Sequence, residues 1–198
     1  CAGETIEESQ QVVKKLGKAH VGSILDYSVE GKDQEEDFER TKNEIIKIIQ
    51  LAKRNPAIPY TSLKFTGIAQ IELLEKLNEK KNLFIENGNE YKSMMNRLHF
   101  ICRTAFENDL PIYFDAEESW MQDAIDKIAE EMMKQYNRNK AIVLTTLQMY
   151  RWDRIDYLNE LIFEARKENF FIGIKLVRGA YMEKENKRAL EKGYKSPI

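Results

Sequence analysis

The chain has 198 residues, with 31 Lys+Arg against 33 Asp+Glu and a net charge of −2, which argues against a protein that grips nucleic acid through a basic surface. At 42% hydrophobic and 32% charged residues it can bury a core and stay in water, and no apolar run approaches the ~18 residues of a membrane span. Cys1 and Cys102 form neither a disulfide framework nor a zinc spacing, which fits a reducing compartment.

In chain order, Thr5-Ile6-Glu7-Glu8 reads as a capping box opening a helix with Ile6, Val13 and Leu16 on one stripe and Gly17 as its stop. Val21 to Tyr27 reads as a strand and Ser28 to Gln34 as a loop. Glu35 to Lys53 is an amphipathic helix with Phe38, Ile45, Ile49 and Ala52 inward, ended by Asn55-Pro56. Ile58 to Phe65 is β-rich and Ile68 to Lys81 is helical. Asn87-Gly88-Asn89 breaks the pattern, and Glu90 to Asn108 is helical again. Pro111 to Phe114 is a strand running into Asp115-Ala116-Glu117-Glu118. Ser119-Trp120-Met121-Gln122 reads as a second capping box, whose helix turns Ala124, Ile125, Ile128 and Met132 to one face. Ala141 to Leu147 is a strand ending in Gln148. Asp153 to Glu168 is a helix with Ile155, Leu158, Leu161, Ile162 and Ala165 inward. Phe170 to Val177 is a strand ending in Arg178-Gly179, and Tyr181 to Lys192 is a last helix.

Strands that alternate with helices predict an α/β fold with a parallel sheet, because parallel neighbours need a crossover connection. Two architectures compete, an open doubly wound sheet and a (β/α)8 TIM-type barrel. No G-x-G-x-x-G follows any strand, which removes the main dinucleotide fingerprint of the first. Each strand is apolar and turns polar at its C-terminal end: Asp26-Tyr27, then Lys64, then Asp115 and Glu117, then Gln148, then Lys175 and Arg178. In a barrel those ends converge on the face where active sites lie. Strand ends meet water, so any one such residue needs no function; five in succession point to one pocket for an anionic substrate. His20, His99, Trp120 and Trp152 read as packing residues, Met94-Met95 and Met132-Met133 as core filler, and Cys102 as an inert buried thiol.

Five segments resemble the proline dehydrogenase family, in the family's order. Gly22 to Glu30 is similar to its first barrel strand, and Leu63-Lys64-Phe65-Thr66 to its second-strand lysine motif. Asp115-Ala116-Glu117-Glu118 and Thr146-Leu147-Gln148-Met149-Tyr150 are similar to its third and fourth strand ends. Ile174-Lys175-Leu176-Val177-Arg178-Gly179-Ala180-Tyr181 is similar to its flavin-contacting motif. Lys at 175 with Arg at 178 resembles the single-function and mitochondrial type.

The resemblance implies a (β/α)8 barrel holding FAD, oxidation of L-proline to Δ1-pyrroline-5-carboxylate by hydride transfer from C5 to flavin N5, and a quinone as electron acceptor. By the matching positions, Lys64 pairs with the substrate carboxylate and Asp115 orients the basic groups. Gln148, Lys175, Val177, Arg178, Gly179, Ala180 and Tyr181 contact the cofactor. No metal is implied. The family points to the cytoplasm with at most peripheral membrane contact, or to mitochondria in a eukaryote; oligomeric state is left open.

About five of the eight βα units are expected, as one partial barrel domain over 1–198. The turn signal Lys195-Ser196-Pro197-Ile198 reads as a chain cut from something longer. The expectation is a partial site without turnover on its own, an unpaired edge on the fifth strand and an exposed apolar sheet surface. Two other readings stay open: a barrel lyase or aldolase using Lys64 or Lys175 as a Schiff-base nucleophile, and a non-catalytic fragment that binds no cofactor.

Overall fold

The computed structural model describes residues 5–27, 33–80 and 88–198. Cys1, Lys81, Asn87 and most of the expected loop over 28–34 lie outside them. The strands are β1 (Ile24–Leu25), β2 (Tyr60–Leu63), β3 (Ile112–Phe114), β4 (Val143–Gln148) and β5 (Ile174–Val177). The helices are α1 (Ile6–Lys18), α2 (Glu35–Ala52), α3 (Ile71–Lys80), α4 (Asn89–Glu107), α5 (Ser119–Tyr136), α6 (Arg154–Glu168) and α7 (Met182–Lys192), and a 3₁₀ turn spans Phe65–Gly67.

The sheet order is β1-β2-β3-β4-β5 and every pairing is parallel. Each strand therefore lies beside the next in the chain, with no point where the winding reverses. A doubly wound sheet has such a switch point, so this is the wall of a TIM-like barrel. Strand alternation sends Leu63, Ile112, Phe114 and Val143 to the helical side, where they join Ile45, Ile49, Leu98, Ile101, Ile125 and Ile128 in one buried cluster. The long segment between β2 and β3 adds two helices to that outer layer, α3 beside α5 and α4 beside α2. No helix among the described residues is long and apolar enough to cross a membrane.

The differences from the sequence reading are local. β1 pairs over two residues instead of seven, with a neighbour strand on one side only among the described residues, and Val21 and Ile24 stay exposed. β5 is shorter at its start, where the Asn137 side chain takes over the bonding: its amide donates to the Val143 and Phe171 carbonyls, and its oxygen accepts from the Ile142 and Val143 N–H groups. Gly173 leads into β5 where a Cβ would lie 2.4 Å from Leu144 Cγ, so only glycine fits. α1 runs one residue past Gly17. On α6 only Leu161 and Ala165 of the expected stripe are buried, and Ile155 faces solvent.

The first capping box holds at its hydroxyl, with Glu8 N–H donating to Thr5 Oγ1 at 3.2 Å. The second does not form. Glu118, not Ser119, precedes the first helical residue of α5 and makes no side-chain cap. Glu185 of α7 does the capping, accepting the Ser119 N–H and hydroxyl at 2.6 Å each. A carboxylate suits that end of the helix dipole, and it docks α7 onto α5.

Candidate active site

Parallel register places the site residues in rows. Leu63 pairs with Phe114, Phe114 with Thr145, and Thr146 with Lys175. One step further along each strand, Lys64, Asp115, Thr146 and Lys175 form a single row across β2 to β5, on the face away from the helices. Asp115 N–H donating to Leu63 O at 2.9 Å carries the ladder up to that row. In the next row up Gln148 pairs with Val177, and the Glu117 carbonyl reaches that row by accepting the Gln148 amide. This is the C-terminal face of the strands, where barrel active sites are built.

A cavity of about 210 Å³ opens on these rows, lined by Lys64, Asp115, Ala116, Thr146, Gln148, Tyr150, Lys175, Val177, Ala180 and Tyr181. Seven of the nine residues singled out from sequence therefore meet there. Arg178 and Gly179 do not line it; both are exposed at the rim. Both follow Val177, the last residue of β5.

Lys175 and Asp115 form an ion pair across β3 and β5. The Lys175 ammonium also lies 5.5 Å from the centroid of Tyr113, a cation–π contact from the row below. The Lys175 ammonium is thus engaged by a carboxylate and an aromatic face at once.

Gln148 is almost fully buried and heavily engaged. Its amide nitrogen donates to the Glu117 carbonyl at 2.7 Å and to the Tyr150 hydroxyl at 2.9 Å, and its oxygen accepts from Arg151 at 3.3 Å. One lone pair of that oxygen remains for a ligand. Burial raises the Tyr150 phenol above its ordinary pKa, with the Tyr181 N–H and the Gln148 amide pulling it back.

Glu117 sits behind the cavity. It is 3% exposed and its carboxylate accepts the Thr66 N–H at 3.0 Å and the Thr66 hydroxyl at 2.7 Å. Burial pushes its carboxyl up, and those bonds oppose the shift. Its own N–H donates to Gln122 Oε1 at 2.7 Å.

Thr146 carries an observation of another kind: its hydroxyl is buried with no hydrogen-bond partner. Sequence reading did not single out Ala116, Thr146 or Tyr150 as site residues. Strand parity could have found Thr146, two before Gln148.

His20, His99, Trp120 and Trp152 lie outside the cavity lining. Trp120 stacks under Arg188 at 4.2 Å, and Trp152 donates to Ser196 O at 3.1 Å. Cys102 is fully buried and its thiol pKa is strongly raised by that burial.

The family model for proline dehydrogenase matches residues 9–198. Mitochondrial proline dehydrogenase 1 of Dictyostelium discoideum is 30% identical over all of this chain and 41% of its own length. The carbapenem antibiotics biosynthesis protein CarD of Pectobacterium carotovorum is 28% identical, over 93% of this chain and 49% of its own. Among solved structures, proline utilization A from Bdellovibrio bacteriovorus, inactivated by N-propargylglycine, superimposes with a TM-score of 0.83 at 19% identity, over 100% of this chain and 21% of that one. The chain spans about half the length, or less, of the curated relatives it matches.

Proposed function

This chain belongs to the proline dehydrogenase family, and from that premise we propose that it serves the oxidation of L-proline to Δ1-pyrroline-5-carboxylate in proline catabolism. FAD, when bound, supplies the hydride acceptor at N5 for the hydrogen leaving proline C5, and a quinone takes the electrons onward. The observation that carries the reading is the row Lys64, Asp115, Thr146 and Lys175, on adjacent strands facing one cavity.

In this reading Lys64 binds the substrate carboxylate. Its strand-end backbone is rigid, so it fixes the pose that brings C5 to its acceptor. Lys175, held by Asp115, supplies positive charge, which favours the reduced and more anionic form of a flavin. The orphaned Thr146 hydroxyl supports the fit of a polar ring edge, since a buried hydroxyl without a partner gains by meeting one. Gln148 offers its remaining lone pair. Ala180 and the neighbouring Gly179 let the backbone approach a flat group. Val177 and Tyr181 add contact surface, and Arg178 at the rim suits the anionic part of a dinucleotide. The mitochondrial relatives favour a mitochondrial setting for a eukaryotic source.

The test is an absorbance spectrum of the protein with added FAD, before and after L-proline. A bound flavin band that bleaches with proline supports the reading, and a protein that takes up no FAD sinks it. Lys64→Ala should keep the flavin band and weaken L-proline binding by roughly ten- to a hundredfold, the scale of one charge-assisted hydrogen bond.

A further inference from the structure

We infer that Glu117 is a positioning residue for this site: through Thr66 its buried carboxylate fixes the segment carrying Lys64 against Asp115 and Gln148. The inference rests on the reading of Lys64 as the group that holds the substrate carboxylate.

Glu117 is a carboxylate where the core favours an apolar side chain. Among the described residues it has no ion-pair partner. An ionised group buried without a cation is costly, so burial energy alone does not account for it. Its hydrogen bonds do. Both carboxylate oxygens turn to Thr66, one taking the N–H and the other the hydroxyl.

Thr66 is two residues beyond Lys64, inside the 3₁₀ turn that Lys64 opens, closed by Gly67 N–H to Lys64 O at 3.1 Å. The ladder bond from Asp115 N–H to Leu63 O holds the chain just before Lys64, and Glu117 holds it just after. The Glu117 carbonyl meanwhile accepts the Gln148 amide at 2.7 Å. A single residue thus ties the ends of β2, β3 and β4 without itself lining the cavity. Its neighbour on α5 secures it in turn, with Gln122 taking the Glu117 N–H and donating to Asp126 at 2.8 Å.

The clamp predicts an effect on substrate binding more than on the chemical step. In the FAD-loaded protein, Glu117→Leu should raise KM for L-proline by about an order of magnitude while kcat stays within about threefold. Glu117→Gln keeps an oxygen for the Thr66 N–H and should bring KM back to within about threefold of wild type. Hydrogen exchange at the Thr66 amide should speed up at least about tenfold in Glu117→Leu and stay slow in Glu117→Gln. Should Glu117→Leu fail to fold, Thr66→Val removes the hydroxyl bond alone and should raise KM by roughly threefold.

Unchanged KM in a folded Glu117→Leu, or equal losses in kcat and KM for the Leu and Gln variants, overturns the inference. If wild type binds neither FAD nor proline, the proposed function fails by itself. The Thr66 amide then decides the clamp: faster exchange in Glu117→Leu supports it and unchanged exchange rejects it.

Discussion

Thr145 and Thr146 are sequence neighbours whose hydroxyls are both buried and both without a hydrogen-bond partner. Strand alternation sends Thr145 to the helical side and Thr146 to the cavity. An unpaired buried hydroxyl costs stability, so replacing either with isosteric valine should stabilise the protein by about 1 kcal/mol without ligand. Only Thr146 has a ligand to lose. Thermal melts with and without FAD should show the usual ligand-induced rise in Thr145→Val and a smaller one in Thr146→Val. An equal rise in both variants would remove Thr146 from the binding surface. The same pair shows what sequence conveys at this scale. Lys64, Asp115, Gln148 and Lys175 stand out because charge or amide at the end of an apolar strand is unusual. Threonine is an ordinary strand residue, and nothing in its identity tells a site hydroxyl from a packing one.

Among the elements, α5 departs most from what its sequence suggests. Its apolar face is legible, and Ala124, Ile125, Ile128 and Met132 are all buried. Its start is not, because the cap comes from Glu185, 66 residues away, and long-range caps leave no local pattern. Its polar residues were equally silent: Gln122 and Asp126 lie buried one turn apart, and Arg154 of α6 donates to Asp126 at 2.6 Å. Burial raises the Asp126 carboxyl from 3.8 to about 6, against the pull of Arg154. The folded state therefore holds this proton more tightly than the unfolded chain does. The favourable contribution is fully present below pH 3.8 and is lost as pH rises through about 6. Asp153 runs the opposite way. Burial works against its charge, but Arg154 and Arg151 hold it down at about 2, so its contribution is present above 3.8 and lost only in strong acid. Asp126→Asn should accordingly flatten the fall in melting temperature between about pH 4 and 6, while leaving the steep loss near pH 2 in place. Melting curves across that range check it; parallel profiles for variant and wild type would show that Asp126 does not titrate there.

At the scale of the molecule, alternating strands and helices made the parallel sheet legible, and the missing glycine fingerprint weighed for a barrel. Strand order was not legible, since sequence periodicity carries no record of which strands touch. The sequential order settles it, and it leaves the edge of β5 away from β4 without a partner strand among the described residues. The surface near that edge is apolar. Leu176 is 64% exposed on β5 itself, Phe171 leads into the strand, and Phe163 of α6 stays open to solvent. An unpaired strand with apolar side chains is a template for association, and burying one leucine side chain is worth about 1.5–3 kcal/mol. The 198-residue chain on its own should therefore sediment above the mass of a single copy, with the heavier species growing with concentration. Leu176→Lys places a charge on that edge without touching the inward row of Lys175 and Val177. It should shift the chain toward a single copy and leave its melting temperature within a few degrees. A wild-type chain that stays monomeric at high concentration, or a lysine variant that associates as strongly, would show that this edge is protected by something other than pairing.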